Sequence, residues 1–143
     1  MKYFRLREFV CNCCGKNKID RTFIKVLDAA RGYSKNQDGS DIPFIITSGY
    51  RCEKLNVLVK GSPTSRHKSG LAVDIKVRVN KKILPLKVVM NHIIDAEINF
   101  DQILIENALN IIHIGFAINP LKARKQVKYA WIDKNNNWKT KKL

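Results

Sequence analysis

The chain has 143 residues with 45% hydrophobic and 27% charged residues, which suits one globular domain and excludes a disordered chain. No stretch of the sequence is long and apolar enough to span a bilayer. The 27 Lys and Arg against 12 Asp and Glu give a formal net charge of +15, which attracts nucleic acid, an anionic membrane or an anionic cell wall without choosing among them.

The N-terminal segment carries charged residues where a secretory signal needs an apolar stretch. Lys2, Arg5, Arg7 and Glu8 all fall within the first eight positions. We therefore expect the protein to be made in the cytoplasm without a signal peptide. An extracellular substrate would then require another route out of the cell.

The predicted elements alternate between helices and strands along the chain. Apolar residues at helical spacing predict a first helix over 19–30, with Asp20 as its N-cap and Gly32 as its stop. The middle of the chain predicts a strand at 43–47, a short helix at 51–60, a loop at 62–70 and a strand at 71–79. A helix at 84–96, opened by Pro85, is followed by strands at 102–106 and 110–116, which a tight connection at 107–109 joins. The last predicted elements are a strand at 126–132 and a solvated, lysine-rich end. Because the final strands follow one another closely, the sheet should be at least partly antiparallel, which indicates the α+β class.

The four cysteines do not form a recognisable metal motif in the sequence. Cys11 and Cys14 have the C-x2-C spacing of a zinc knuckle, with Cys13 between them and Cys52 far away, but no second C-x2-C or H-x3-H pair follows. Without a secretory signal, reduced thiols are the default. We therefore predict free thiols, buried or half-buried, rather than a structural zinc site.

The segment 65–74 is the most informative part of the sequence. It puts His67 at the end of a loop and Asp74 inside the following strand, and Gly70 supplies the tight turn between them. His113 lies in the middle of the strand at 110–116, so alternation points it away from its apolar neighbours. If Asp74 shares that face of the sheet, the three side chains converge on one point.

Two histidines and a carboxylate suit a hydrolytic zinc site. Zinc accepts nitrogen and oxygen ligands, takes four of them, and in catalytic sites keeps the fourth position for water. The metal lowers the pKa of that water toward ~7 and polarises a carbonyl. This chemistry predicts a zinc-dependent hydrolase.

Three segments together resemble a known family. They are Ser48-Gly49-Tyr50-Arg51-Cys52 followed by Asn56, the Ser65-x-His67-x6-Asp74 segment with Gly70 and Ala72, and the stretch from Phe100 to Glu106 followed by Ile112-His113-Ile114. The combination resembles the M15 family of zinc peptidases, the D-alanyl-D-alanine carboxypeptidase-like enzymes of bacteria and phage lysis proteins. The opening of the chain, 6–14, resembles the EF-x-C-x-C start of that family less closely.

The resemblance covers about residues 6–116 and implies a single zinc peptidase domain over 1–143, with a basic C-terminal strand and tail at 117–143. It implies a hedgehog or D-Ala-D-Ala peptidase-like fold, in which a small, mostly antiparallel sheet is flanked by helices and carries the zinc on one face. It also implies one zinc ion per chain, held by His67, Asp74 and His113.

The resemblance further implies three residues that contact the substrate. Arg51 would face the pocket and stabilise negative charge on the substrate or intermediate, a task that suits its planar, permanently charged group. Ser65 would brace the loop or form a hydrogen bond near the metal, and Tyr50 would contribute to substrate binding.

The general base is the least complete part of the resemblance. Many family members carry Glu three residues before the last histidine, where this chain has Asn110, which cannot accept a proton. Glu106 ends the preceding strand and is the predicted proton acceptor. Asp101 is the reserve candidate.

The predicted function is hydrolysis of an amide bond in the peptide stem of bacterial peptidoglycan, by a monomer that acts on the cell wall after release during phage lysis. The resemblance leaves D,D-carboxypeptidase and endopeptidase activity open. The alternative is a non-catalytic, zinc-containing basic module that binds nucleic acid or an anionic wall. The charge and Asn110 favour this alternative, but no nucleic-acid motif is present and aromatic residues are only 8%.

Overall fold

The computed structural model of the protein describes residues 1–79, 82–83, 86–96 and 99–143. The helices are α1 (Arg21–Tyr33), α2 (Glu53–Leu58) and α3 (Leu86–Asp95). The strands are β1 (Phe44–Ser48), β2 (Ala72–Val79), β3 (Lys82–Ile83), β4 (Phe100–Glu106), β5 (Ile111–Phe116), β6 (Gln126–Ile132) and β7 (Trp138–Lys142). Short 3₁₀ helices occur at Leu6–Phe9, Arg66–Ser69, Asn107–Leu109 and Pro120–Lys122. None of the described helices has the length and hydropathy needed to cross a lipid bilayer.

The sheet has the strand order β1-β2-β5-β4-β6-β7, and β3 pairs with β2 beside this path. Strands β4 and β6 run parallel, whereas the other neighbouring strands pair in the antiparallel sense. The predicted α+β class is confirmed, but the expectation of a mostly antiparallel sheet is corrected, because the sheet is mixed. The cause is the connection after β5, which starts β6 beside the beginning of β4, so that both strands run in the same direction.

The hydrophobic core lies on one face of the sheet, beneath α1 and α3. Strand alternation turns Ile112 and Ile114 of β5 into this core, where both are fully buried. The ring of Phe23 on α1 stacks on Phe116 with their centroids 5.0 Å apart. Each such large apolar side chain contributes about 1.5–3 kcal/mol when it is fully buried. The opposite face of the central strands is therefore free to carry polar side chains.

The structure confirms most of the predicted elements and adjusts their ends. The Asp20 carboxylate caps α1 by accepting a hydrogen bond from the Phe23 amide (2.8 Å), but the helix continues through the predicted stop at Gly32. The predicted loop at 62–70 contains a 3₁₀ helix. The third helix begins at Leu86 in the described residues, and its predicted opening at Pro85 lies outside them.

The C-terminal end is a strand rather than the predicted solvated tail. All five residues of β7 are exposed, yet they pair with β6 in an antiparallel register. The turn between the two strands is held by Asp133, whose carboxylate accepts hydrogen bonds from the amides of Asn135 (2.9 Å) and Asn137 (3.0 Å). Because neither face of β7 is buried, its sequence lacks the apolar alternation by which a strand is recognised.

Gly70 ends the 3₁₀ helix that carries His67, and we expect its replacement by Ala to be strongly destabilising. Its φ is +73°, a left-handed conformation, and an added Cβ would overlap the carbonyl oxygen of Lys18. Left-handed backbone alone costs roughly 1–2 kcal/mol for a residue with a Cβ. Gly39 is a matched control, because its φ is +81° but nothing lies within 4 Å of the position that its Cβ would take. Denaturant unfolding should show a clearly larger loss for Gly70→Ala than for Gly39→Ala, and equal losses would contradict this account.

Candidate functional site

The structure brings the three predicted metal ligands to one point. His67 lies on the 3₁₀ helix Arg66–Ser69, Asp74 on β2 and His113 on β5, where it pairs directly with Asp74. Asp74 Oδ1 lies 3.2 Å from His67 Nε2 and 2.9 Å from His113 Nδ1, and the two nitrogens are 3.2 Å apart. Directly paired strand residues share a face of the sheet, which explains why Asp74 and His113 meet.

The donor atoms fit a zinc ion. The buried His67 ring donates through Nδ1 to the carbonyl oxygen of Gly49 at 2.8 Å, because a carbonyl can only accept. In the neutral form of the ring, which is the form that binds metals, Nε2 then carries the lone pair. That lone pair faces the Asp74 carboxylate, an arrangement that calls for a cation. A tetrahedral zinc with bonds of about 2.0–2.1 Å holds its ligand atoms roughly 3.3 Å apart, close to the separations seen here.

Asp74 is ionised in this setting. Burial alone would raise the pKa of its carboxyl, but the adjacent His67 and the hydrogen bond with His113 hold that pKa well below its usual range. A carboxylate must be deprotonated to bind a metal. Asp74 therefore meets the electrostatic requirement for a ligand throughout the physiological pH range.

Arg51 lies in the pocket and contacts the outer oxygen of the same carboxylate. Its Nη2 is 3.4 Å from Asp74 Oδ2 and 3.4 Å from the Ser48 hydroxyl, and its Nη1 donates to Asn56 Oδ1 at 3.2 Å. Asn56 is itself buried and donates through Nδ2 to the carbonyl of Ser62 at 2.9 Å. Asn56 thus fixes the arginine. The sequence motif contained Asn56 but did not indicate this role, which becomes visible only in the structure, where its amide is buried on a short helix.

Of the two other predicted substrate-binding residues, Ser65 lines the pocket and Tyr50 does not. The Ser65 hydroxyl accepts a hydrogen bond from the His67 amide at 3.4 Å, so it braces the start of the 3₁₀ helix, and Ser65 also lines the pocket. Tyr50 is buried and does not line the pocket, and the ammonium of Lys18 lies 5.7 Å from its ring centroid. We therefore do not include Tyr50 among the proposed substrate-binding residues.

Glu106 lines the pocket at the end of β4. Leu104, two positions earlier on the same face of the strand, pairs directly with His113, so Glu106 lies diagonally beside this histidine. Burial and the nearby Asp74 raise the pKa of Glu106 from 4.5 to about 7, against the opposing charges of His113 and Arg51. The position of Glu106 and its raised pKa in the metal-free chain therefore suit a group that exchanges protons near neutral pH.

Asp101 contacts two arginines and none of the three candidate ligands. Its fully buried carboxylate pairs with Arg66 Nε at 3.0 Å and with Arg124 Nη2 at 2.6 Å. Burial would raise the pKa of Asp101, but the hydrogen bonds from Arg124 and the charge of Arg66 keep it lowered. Asp101 ties the loop that carries His67 to the connection before β6, and this position indicates a structural role for the reserve candidate.

The site opens into a broad pocket of about 1240 Å³. The site residues and the hairpin of β6 and β7 both line it. The hairpin residues that line it are Ala130, Asn136, Asn137, Trp138 and Thr140. Nothing in the sequence indicates that Trp138 lies in this pocket, because β7 lacks the alternation that identifies a strand. The C-terminal segment is therefore part of the pocket.

The raised pKa of Glu106 predicts a pH-dependent cost in stability for the metal-free protein. Below pH 4.5 the carboxyl is protonated in both states. Between pH 4.5 and about 7 the unfolded chain loses this proton and the folded chain retains it, so the free energy of unfolding falls as pH rises. Glu106→Gln removes this term. Urea unfolding of the two metal-free proteins should show the variant gaining stability relative to the parent from pH 4.5 to 7, and a constant difference would contradict the raised pKa.

Comparison with known proteins agrees with this geometry. A family model described as Peptidase M15 matches residues 2–115, a range that contains all three candidate ligands, Arg51 and Glu106. None of the curated proteins searched matches the chain. The match spans well over half of the sequence, and so the chain belongs to the peptidase M15 family, a membership that implies a metallopeptidase.

Proposed function

We propose that the protein is a zinc-dependent peptidase that hydrolyses an amide bond in the peptide stem of bacterial peptidoglycan. The observation that carries this proposal is the convergence of His67 Nε2, Asp74 Oδ1 and His113 Nδ1 within 3.2 Å of one another in an open pocket. Bound there, zinc would supply the Lewis acidity that polarises a scissile carbonyl and acidifies a water molecule.

Glu106 moves the protons in the proposed reaction. As a carboxylate it accepts a proton from the attacking water, and as an acid it returns that proton to the leaving amine. In the metal-free chain its pKa is raised to about 7, and a bound cation would lower it and favour the carboxylate that the first step requires. No covalent acyl-enzyme is required, so neither a serine nor a cysteine acts as nucleophile.

Arg51 contributes in two ways. Its guanidinium stabilises negative charge that develops on the carbonyl oxygen of the substrate. Its contact with the outer oxygen of Asp74 orients this ligand and leaves Oδ1 toward the two histidines. The hydrogen bond that Arg51 Nη1 donates to the buried Asn56 Oδ1 holds the guanidinium in position, so the side chain loses less conformational freedom when substrate binds.

The peptidoglycan substrate is supported by the family resemblance, and the formal net charge of +15 is compatible with an anionic cell wall. The pocket of about 1240 Å³, lined by the metal-ligand residues and by the β6–β7 hairpin, has room for a peptide. Both D,D-carboxypeptidase and endopeptidase action fit this shape.

A muropeptide digest followed by mass spectrometry tests the proposal. The zinc-loaded protein should release a terminal alanine from stem peptides if it is a carboxypeptidase, or convert cross-linked dimers to monomers if it is an endopeptidase. Glu106→Gln, loaded with zinc in the same way, should produce neither change. Intact muropeptides after incubation with the zinc-loaded parent would contradict the proposal.

A second candidate function is a non-catalytic basic module that retains zinc. The net charge favours it, and so does Asn110, which replaces the glutamate that many family members carry. The structure offers a local reason for this residue, since Asn110 has φ +51° and asparagine tolerates left-handed backbone. Zinc uptake with salt-sensitive polyanion binding and no cleavage would support this candidate.

A further inference from the structure

Cys52 meets two cysteines of the N-terminal segment, Cys11 and Cys14, that lie far from it in the sequence. The sulfur atoms of Cys11, Cys14 and Cys52 all lie within 4.8 Å of one another. Four thiolates around a zinc ion, with bonds of about 2.3 Å, stand roughly 3.8 Å apart. The cluster therefore has the dimensions of a thiolate metal site. None of the three cysteines lines the pocket described above.

The backbone of this segment is shaped around the cluster. Cys11 donates from its amide to the carbonyl of Lys16 at 2.8 Å, and its own carbonyl accepts from the amide of Gly15 at 2.8 Å. Gly15 has φ +69°, a left-handed conformation that glycine adopts readily, at the point where the chain leaves this tight loop. Cys52 arrives from the other side as the N-cap residue of α2.

Backbone amides stabilise a negative charge on the sulfur of Cys11, the buried cysteine of the cluster. Cys11 Sγ accepts a hydrogen bond from the amide of Cys52 at 3.4 Å, and the amides of Cys13 and Cys14 also point toward it. These amide donors favour the thiolate form of Cys11 over the thiol. The thiolate is the form of cysteine that binds metals.

We propose that Cys11, Cys14 and Cys52 form a second metal site, which binds Zn²⁺ and has a structural function. Thiolates select zinc among the common divalent ions, and binding releases the thiol protons to solvent. Cys14 is exposed and gives the ion a path of entry. The fourth ligand would be a water molecule or the thiolate of the exposed Cys13, which precedes Cys14.

The proposed ion fastens the N-terminal segment to the loop that carries Arg51. The two backbones already meet where the amide of Tyr50 donates to the carbonyl of Phe9 at 2.9 Å. A metal bound to Cys11 and Cys52 would cross-link the residues immediately beyond this contact. Because metal binds the folded chain in preference to the unfolded one, it should raise the melting temperature.

Cobalt substitution of the reduced, full-length protein tests this site separately from the peptidase site. Co²⁺ bound by thiolates gives a sulfur-to-metal charge-transfer absorption that a site of histidine and aspartate lacks. We expect this band in the parent and in His67→Ala, displacement of it by added Zn²⁺, and its loss in Cys14→Ser and Cys52→Ser. These two cysteines are not fully buried, so both variants are expected to fold.

Two results of the cobalt experiment would overturn the proposal: absence of the charge-transfer band from the reduced parent, or its persistence in both serine variants. A disulfide would also overturn it. A disulfide is indicated if the thiols of the purified protein resist alkylation until a reductant is added, while a chelator has no effect. Protection from alkylation that a chelator alone removes would support the metal site. Neither measurement depends on cleavage of peptidoglycan.

Discussion

Replacing His67 with alanine should remove one zinc ion per chain and reduce peptide hydrolysis to the uncatalysed background. The imidazole supplies one of three donor atoms, and its Nε2 lone pair is fixed toward the metal position by the hydrogen bond from Nδ1 to Gly49. Without it, His113 and Asp74 leave too few ligands to compete with solvent. Elemental analysis of the purified variant and a muropeptide digest measure the two effects.

His92→Ala is the matched control for this substitution. His92 lies on α3, outside the cluster of candidate ligands, so its loss should change neither zinc content nor hydrolysis. The cysteine site complicates the metal count, because it would retain a second ion in both variants. In a Cys52→Ser background the zinc content should therefore fall from one per chain to none when His67 is removed. Unchanged zinc in that double variant would contradict the assignment of His67 as a ligand.

The candidate ligands could be predicted because their signals are local. The spacing from His67 to Asp74 and the alternation around His113 place each side chain on its element without knowledge of the fold. The meeting of Asp74 with His113 depends on the pairing of β2 with β5, which are distant in the sequence. Alternation gave the correct face for His113, and the family resemblance supplied the expectation that the two strands converge.

Features that depend on long-range pairing were missed or only partly foreseen. The parallel alignment of β4 and β6 follows from the path of the connection after β5, which no sequence pattern encodes. Asp101 looked like a candidate base because its burial between two arginines was invisible in the sequence. The cysteine cluster was missed for the same reason: Cys52 completes it only after folding has brought α2 beside the N-terminal segment.

Glu106→Gln should lower kcat by roughly 10²–10⁴-fold, the usual contribution of a positioned proton acceptor, while zinc content stays at the parental value. Glutamine preserves the size and polarity of the side chain but cannot accept a proton. Since a base must be deprotonated, the activity of the parent should fall as pH drops below the pKa of Glu106. That pKa is about 7 in the metal-free chain and should be lower in the loaded enzyme, because a nearby cation favours the carboxylate.

Asp101→Asn distinguishes the role of proton acceptor, proposed for Glu106, from the structural role of a buried carboxylate. Breaking the buried pairs with Arg66 and Arg124 should cost about 3 kcal/mol of unfolding free energy, near the lower end for such pairs because both arginines are partly exposed. The folded fraction should nevertheless keep the acid limb of the pH–rate profile, which Glu106→Gln should flatten in any residual activity. The opposite outcome, a flat profile in Asp101→Asn and a parental profile in Glu106→Gln, would transfer the role of base to Asp101. The profile decides between the two carboxylates because replacing the one that takes the proton removes its contribution to the acid limb, whereas replacing the other leaves that limb in place.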